Sequence, residues 1–221
     1  MGELVIAVDG PSGSGKSTTA RGVASRLGLR YLDTGAMYRA VTWAMLERGV
    51  DVDDQDAVAR AAADVRIDVG TDPTHPTIHA DGVNVSRPIR EQAVTSAVSA
   101  VSAVPEVRVL MVARQREAIG EGGIVIEGRD IGSVVAPDAD LKIYLVADSG
   151  ARAYRRAAEQ GLSGEVAATK ADLARRDAFD SSRKASPLSQ APDAVVVDST
   201  HLTLEQVIDA IVDMIPASSR P

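Results

Sequence analysis

The sequence predicts an α/β fold in which a five-stranded parallel sheet is flanked by helices. Short apolar runs alternate with helix-like segments along the chain, which is typical of parallel strands joined by crossover helices. A glycine-rich segment follows the first run and precedes a helix, as in many phosphate-binding loops. One stretch breaks the alternation and predicts a small antiparallel insertion.

The predicted strands are short and consist mostly of β-branched residues or leucine. This composition is expected for strands that are buried on both faces of a parallel sheet. The five candidates are Leu4–Val8, Arg30–Leu32, Ile124–Glu127, Leu141–Val146 and Ala194–Val197.

The first predicted helices are Lys16–Leu27, Met37–Arg48 and Val107–Ile119. Gly49 and Gly120 directly follow the second and third of these, as glycine often does at a helix end. The last helix is predicted to begin at Thr203, because Thr203 and Gln206 have the spacing of a capping box.

The stretch 65–85 predicts antiparallel strands in place of another crossover unit. The candidates are Arg66–Val69, Thr77–Ala80 and Val83–Val85. Asp81 and Gly82 between the last two form a dipeptide that favours a tight hairpin turn. We therefore predict an insertion at residues 65–104, with the core formed by residues 1–64 and 105–221.

A second irregular segment, Gly161–Ala168, is polar and contains glycine, and it lies between two arginine-bearing helical segments. Mobile lids often have this composition. We predict a helical lid at residues 152–183.

The composition limits the classes of partner. A net charge of −7 and an aromatic content of 3% argue against nucleic acid, which is bound through basic surfaces and stacking rings. The absence of cysteine excludes disulfides, thiolate catalysis and Cys-ligated zinc. No apolar stretch approaches membrane-span length. We expect a cytoplasmic, monomeric protein without a nucleic-acid or membrane partner.

The strongest chemical signal is GPSGSGKS, a full match to the P-loop pattern between a predicted strand and a predicted helix. In such a loop the backbone amides face the phosphates, the lysine reaches the β and γ phosphates, and the serine hydroxyl binds Mg²⁺. We therefore predict a catalytic role for Lys16 and a metal-ligand role for Ser17. The predicted nucleotide-binding residues are Gly10, Pro11, Ser12, Gly13, Ser14, Gly15, Lys16, Ser17 and Thr18.

A nucleotide switch is the rival hypothesis, because GTPases share the P-loop with small-molecule kinases. Thr169–Asp172 (TKAD) also matches the guanine-reading pattern of GTPases. In a GTPase this motif ends a buried strand, whereas Gly164–Ala168 supplies no apolar run, and the sequence contains no Asp-x-x-Gly. The kinase interpretation is therefore favoured.

Several arginines predict phosphate contacts at the sheet edge. Arg39 follows the second predicted strand and Arg129 follows the third, so both are expected at the carboxyl edge, where α/β proteins bind ligands. Arg176, Asp180 and Arg183 share one face of a predicted helix. By spacing alone, these three residues fit a solvated salt-bridge ladder as well as a binding site.

Four segments resemble the bacterial cytidylate kinases in order and spacing, over nearly the whole chain. They are Leu32–Arg39 (LDTGAMYR), Arg114–Arg116 (RQR), Glu127–Gly132 (EGRDIG) and Arg176–Arg183. The resemblance implies a P-loop kinase fold that transfers the γ-phosphoryl group of ATP to CMP or dCMP. It also makes the antiparallel insertion an enlarged monophosphate-binding domain.

The resemblance further implies roles for single residues. Arg39, Arg129 and Arg183 would act in catalysis together with Lys16. Three residues would recognise cytosine, and Arg176 and Asp180 would contact the ribose. The three cytosine-reading residues are Ser99, Arg108 and Asp130. The whole implied CMP-binding set is Thr34, Tyr38, Arg39, Ser99, Arg108, Arg129, Asp130, Arg176, Asp180 and Arg183.

Arg155 and Arg156 lie on the helix after the fourth predicted strand, and we predict that they reach the ATP phosphates when the lid closes. Their spacing fits an exposed basic face equally well. Tyr38 fits a position in the acceptor pocket and a position in the core equally well.

Glu127 ends an apolar strand where P-loop proteins position an acid near Mg²⁺. We therefore predict that Glu127 joins Ser17 at the metal, directly or through water. The resemblance implies an aspartate at this position, so the longer glutamate is a departure from the family pattern. The histidines are scattered and predict no metal site.

The alternative acceptors are UMP, AMP and shikimate, because kinases for these compounds share the scaffold and differ only in the acceptor pocket. A non-catalytic nucleotide-binding module is less favoured, since it would not need so many arginines.

Overall fold

The computed structural model describes residues 4–159, 165–182 and 190–215. Its strands are β1 (Val5–Asp9), β2 (Arg30–Asp33), β3 (Ile67–Val69), β4 (Ile78–Ala80), β5 (Val83–Asn84), β6 (Ile124–Glu127), β7 (Leu141–Val146) and β8 (Val195–Asp198). The main sheet has five strands in the order β2-β6-β1-β7-β8, and all of its pairings are parallel. The predicted fold class is confirmed, with strand ends within one residue of their predicted positions.

The helices are α1 (Lys16–Leu27), α2 (Thr34–Glu47), α3 (Gln55–Ala62), α4 (Gln92–Val101), α5 (Pro105–Ile119), α6 (Ser149–Glu159), α7 (Val166–Ser182) and α8 (Leu204–Asp213). Helix α2 begins three residues before the predicted Met37, because the Asp33 side chain accepts a hydrogen bond from the Ala36 amide at 2.8 Å. The capping box of Thr203 and Gln206 is confirmed.

Alternating residues of β1 face two separate apolar layers. Ile6 and Val8 pack in a layer with α1 and α8. Ala7 packs on the opposite face with α2 and α5. Because side chains alternate along a strand, this single apolar run fixes both sides of the sheet. The carboxyl end of β1, where the phosphate-binding loop starts, is therefore held between two cores.

The second sheet has three antiparallel strands in the order β3-β4-β5, as predicted. Asp81 and Gly82 both have positive φ angles, 52° and 81°, which is the geometry of a tight hairpin turn. The Asp81 carboxylate also accepts from the Arg66 amide at 3.0 Å. Ile67 and Ile78 are buried in the same core as α2, so this sheet is fixed to the wall of the cleft described next.

In the described ranges, no single helix is long and apolar enough to cross a membrane. Helices α4 and α5 reach that length and hydropathy only when they are taken together, and they are bent by 101° relative to each other.

Candidate active site

A cleft opens at the carboxyl ends of β1, β2 and β6, between the phosphate-binding loop, α2, α4 and α7. Its basic lining residues are Lys16, Arg39, Arg90, Arg108, Arg129, Arg156 and Arg176. All of these except Arg90 were predicted from the sequence. The other predicted residues that line the cleft are Ser12, Gly13, Gly15, Ser17, Thr18, Thr34, Tyr38, Ser99, Glu127, Asp130 and Asp180. Gly10, Pro11, Ser14 and Arg155 do not line it, and Arg183 lies outside the described residues.

The phosphate-binding loop connects β1 to α1. Its last glycine, Gly15, has a φ of 93° and caps α1 without a side-chain hydrogen bond, so the first amides of the helix stay available to an anion. Gly10 is required for a different reason, because a Cβ atom there would lie 2.2 Å from the Leu145 carbonyl oxygen. The loop therefore has the conformation that the pattern predicts.

Lys16 is 6% exposed, and its ammonium group donates to the Pro11 carbonyl oxygen at 2.8 Å. Burial lowers the pKa of Lys16 to about 7, and repulsion from Arg129 adds to this effect. A bound phosphate would reverse the shift, because it favours the charged amine.

The cleft also contains a cluster of arginines that repel one another. Arg39 is anchored by the Ile89 carbonyl oxygen at 3.1 Å and the Thr95 hydroxyl at 2.9 Å. Burial lowers the pKa of Arg39 to about 9, and the nearby Arg176 and Arg156 add to this effect. Burial and Arg129 also lower the pKa of Arg176. An anion bound here would relieve this repulsion.

Four residues that are distant in the sequence form one wall of the cleft. Arg108 and Asp130 make a buried ion pair, and the guanidinium carbon lies 5.4 Å from the centre of the Tyr38 ring. Ser99 lines the same cleft. A buried carboxylate beside a guanidinium can distinguish bases by their donors and acceptors.

Asp180 is buried on α7 and contacts the Arg129 Nε atom at 3.1 Å. This contact joins α7 to the segment that follows β6, so Asp180 is not part of a solvated ladder along its own helix. Arg176 lies one turn earlier on α7 and lines the same cleft. Its Nε atom is buried without a hydrogen-bond partner among the described residues.

Glu127 is 4% exposed, and burial raises its pKa, with the neighbouring Asp33 adding to the effect. Its carboxylate accepts from the Tyr31 hydroxyl at 2.6 Å, and the Ser17 side chain partly opposes the rise in the pKa of Glu127. A hydroxyl and a carboxylate are oxygen ligands of the kind that Mg²⁺ prefers. In the part of the chain that the structure describes, no group of three His, Cys, Asp or Glu side chains forms a metal cluster.

Two acids near the loop were not predicted as site residues. Asp9 accepts hydrogen bonds from the Ile131 and Gly132 amides at 2.9 and 2.8 Å, and burial raises its pKa to about 6. Asp177 on α7 accepts from the Ser12 amide at 3.2 Å. Asp9 immediately precedes the loop, and only this position in the sequence could have identified it as a site residue. Asp177 gave no signal, because its contact exists only in the tertiary structure.

Arg152 and Arg155 both bind the backbone of the phosphate-binding loop. Arg152 pairs with Asp177 and donates to the Ser12 carbonyl oxygen at 3.0 Å. Arg155 donates to the Ser14 carbonyl oxygen at 3.3 Å and to the Ser199 carbonyl oxygen at 2.6 Å. The predicted contact of Arg155 with ATP would require these bonds to rearrange, and it stays a prediction.

The rival GTPase pattern lies inside a helix. Thr169–Asp172 forms part of α7, whereas a guanine-reading motif would follow a strand at the sheet edge. The geometry therefore does not favour a nucleotide switch.

A parallel sheet with a P-loop at its carboxyl edge, in a cleft that is also lined by several arginines, defines a P-loop protein with a basic binding cleft. The family model described as cytidylate kinase matches residues 6–217, and the chain belongs to this family. A cytidylate kinase of Streptomyces griseus is 58% identical over 214 residues, covering 96% of this chain and 92% of that protein. One of Nocardia farcinica is 53% identical over 212 residues, covering 94% and 91%. The resemblance stated from the sequence is confirmed.

A crystal structure of an uncharacterized protein from Eubacterium ventriosum aligns with 99% of this chain and 100% of that chain. Its TM-score is 0.53 and its sequence identity 12%, so it supports the fold alone.

Proposed function

We propose that the protein transfers the γ-phosphoryl group of ATP to CMP or dCMP, giving ADP and CDP or dCDP. The observation that carries the proposal is a single cleft lined both by the P-loop and by the Arg108–Asp130 pair. Arg39, Arg129 and Arg176 line the same cleft. Membership of the cytidylate kinase family supports the same reaction.

The reaction needs charge neutralisation more than it needs a base. The second pKa of a phosphate monoester is about 6, so the attacking oxygen of the acceptor is mostly ionised at neutral pH. Two anionic nucleotides must then be aligned, and cations around the transferring group stabilise its charge. Lys16, Arg39 and Arg129 are proposed to supply these cations, with Arg183 completing the set. Arg156 is proposed to contact the ATP phosphates.

Ser17 and Glu127 are proposed to hold Mg²⁺, directly or through water. The ion supplies positive charge to the β and γ phosphate oxygens when it is bound. Both side chains line the cleft beside the phosphate-binding loop, which supports this assignment.

The acceptor pocket is proposed to read cytosine through its amino group and its ring acceptors. Asp130 would accept from the 4-amino group, and Arg108 would donate to N3 or O2. Thr34, Tyr38 and Ser99 complete this side of the pocket. Arg176 and Asp180 are assigned to the ribose and the neighbouring phosphate.

Closure around the substrates is proposed for the insertion at residues 65–104 and the lid at residues 152–183, since exclusion of water prevents loss of ATP by hydrolysis. Cytoplasmic location, a monomeric state and the lack of nucleic-acid or membrane partners stay predictions.

An assay with ATP, Mg²⁺ and a panel of acceptors tests the proposed substrate. We expect turnover with CMP and dCMP, and much lower kcat/KM with UMP, AMP and shikimate. A preference for any of the last three would reject the acceptor assignment and keep the kinase fold.

Replacing Asp180 by alanine is expected to lower kcat/KM most for acceptor nucleotides with the most ribose hydroxyls, because the carboxylate is proposed to accept hydrogen bonds from the sugar. The variant also loses the contact with Arg129, but that loss is common to all acceptors. The ratio of kcat/KM for CMP to that for dideoxy-CMP should therefore fall about tenfold. Asp172→Ala on the same helix is the control. An unchanged ratio in Asp180→Ala would contradict the ribose assignment.

Binding of ADP is expected to take up a proton at alkaline pH. The free protein has a Lys16 pKa lowered to about 7, and a bound β-phosphate raises it by favouring the charged form. Uptake should approach about one proton near pH 8 and fade below pH 7, where the free lysine is already protonated. Calorimetry in two buffers with different ionisation enthalpies measures it, with Lys16→Met as the control. If the wild type bound ADP at pH 8 with the same observed enthalpy in both buffers, the proposed shift in the pKa of Lys16 would be contradicted.

A further inference from the structure

Glu127 receives a hydrogen bond that none of the assigned roles explains. The Tyr31 hydroxyl donates to its Oε1 atom at 2.6 Å. Tyr31 is 2% exposed and Glu127 4%, so water does not compete for this contact. A buried, short bond to a carboxylate is among the stronger hydrogen bonds in proteins.

The strand register explains why these two side chains meet. In the β2–β6 pair, Tyr31 is opposite Val125 and Asp33 is opposite Glu127. Tyr31 is therefore the diagonal neighbour of Glu127, within reach of a long side chain. Tyr31 and Val125 pack in the core layer that α1 covers, and α1 carries Ser17 near its N-terminus. The tyrosine, the glutamate and the serine thus lie on one face of the sheet.

The main chain of Tyr31 is fixed as well. Its amide donates to the Thr71 carbonyl oxygen at 2.8 Å, and Arg21 on α1 donates to the Pro73 carbonyl oxygen at 2.8 Å. The first bond holds the segment between β3 and β4 against the edge of β2, and the second ties the same segment to α1. The phenol therefore projects from a backbone that is tied on two sides.

A glutamate needs such a partner more than an aspartate would. Its extra methylene adds one rotatable bond between the strand and the carboxylate, so the carboxylate has more positions that do not reach Ser17. A fixed donor on one oxygen selects one position and keeps the carboxylate in the cleft that Ser17 also lines.

We propose that Tyr31 is a positioning residue for the metal end of the ATP site, because its hydroxyl orients the Glu127 carboxylate toward Ser17. The proposal rests on the proposed function only in assigning Mg²⁺ to Ser17 and Glu127. It requires nothing of the acceptor pocket. Partners that orient a metal ligand in this way typically change metal affinity by about tenfold or more when they are removed.

Calorimetry of ADP binding tests the proposal, with Mg²⁺ in one titration and with EDTA in the other. For Tyr31→Phe, we expect Mg·ADP to bind about tenfold more weakly, while metal-free ADP binds as in the wild type. If Tyr31 had only a structural role, Tyr31→Phe would lower the affinity for ADP in both titrations or in neither. Val196→Ala, which changes an exposed side chain on β8 outside the proposed lid, is the control and should leave both constants unchanged.

A double-mutant cycle with Glu127→Asp gives a second measure. Aspartate is one methylene shorter, which moves the carboxylate away from the Tyr31 hydroxyl, so each single variant disrupts the same contact. Their effects on Mg·ADP affinity should therefore be strongly non-additive. Additive effects, or equal losses with and without metal, would overturn the proposal. A wild type that binds ADP equally well with and without Mg²⁺ would overturn it as well. These binding experiments contain no CMP, so they test the role of Tyr31 even if CMP proves not to be the acceptor.

Discussion

Lys16→Ala is expected to lose kcat by about 10³-fold or more while the protein stays folded. The lysine is proposed to supply the cation nearest to the transferring group, and it is the only basic residue in the loop sequence GPSGSGKS. Its removal costs little stability, because burial already disfavours the charged lysine in the free protein and lowers its pKa to about 7. We therefore expect a thermal midpoint equal to or slightly above that of the wild type.

Lys170→Ala is the matched control for this variant. Lys170 is exposed on α7, and it belongs to the pattern that suggested a GTPase. The kinase account predicts wild-type kcat for this control. Near wild-type turnover in a folded Lys16→Ala protein would reject the role of the phosphate-binding loop.

Asp130→Asn is expected to lower kcat/KM for CMP by about 10- to 100-fold and to affect UMP less. In UMP the 4-oxo group would face the Asp130 carboxylate and the N3 hydrogen would face Arg108, so the wild type should prefer CMP by about tenfold or more. Asparagine can turn its amide toward the 4-oxo group, which should narrow the difference between the two nucleotides.

The same substitution weakens a buried ion pair and leaves Arg108 with a neutral partner. The loss of stability should be smaller than the 3–5 kcal/mol or so that is typical when one partner of a buried pair is removed, because the asparagine oxygen still accepts a hydrogen bond. Urea unfolding measures this loss separately from activity. Asp138→Asn, at an exposed acid, is the control. A wild type that uses UMP as well as CMP, or an unchanged ratio in Asp130→Asn, would contradict the base-reading assignment.

Much of the fold could be predicted because most strands of the main sheet are largely buried apolar runs with clear ends. The start of α2 was missed because Asp33 ends a strand and also caps the following helix, so the pattern of apolar residues does not mark the boundary. Helix α3 was not predicted, since only eight residues form it and just Val58 and Ala62 of them are buried. Its cap, Asp54, was the available signal.

The site was predictable in two different degrees. The local pattern GPSGSGKS was enough for the phosphate-binding loop, because its residues are contiguous. The wall formed by Tyr38, Arg108 and Asp130 depended on the resemblance, since no spacing rule brings together residues from three separate segments. Asp177 and Tyr31 escaped both approaches, because each acts through a contact that only the tertiary structure creates.

The central claim is that the cleft transfers a phosphoryl group between two nucleotides. Phosphorus NMR of the protein with Mg²⁺, ATP and CMP tests this claim most directly, because it resolves each product. We predict that CDP and ADP appear in equal amounts, with little inorganic phosphate. Formation of ADP and inorganic phosphate without CDP would show hydrolysis in place of transfer, and it would contradict the account.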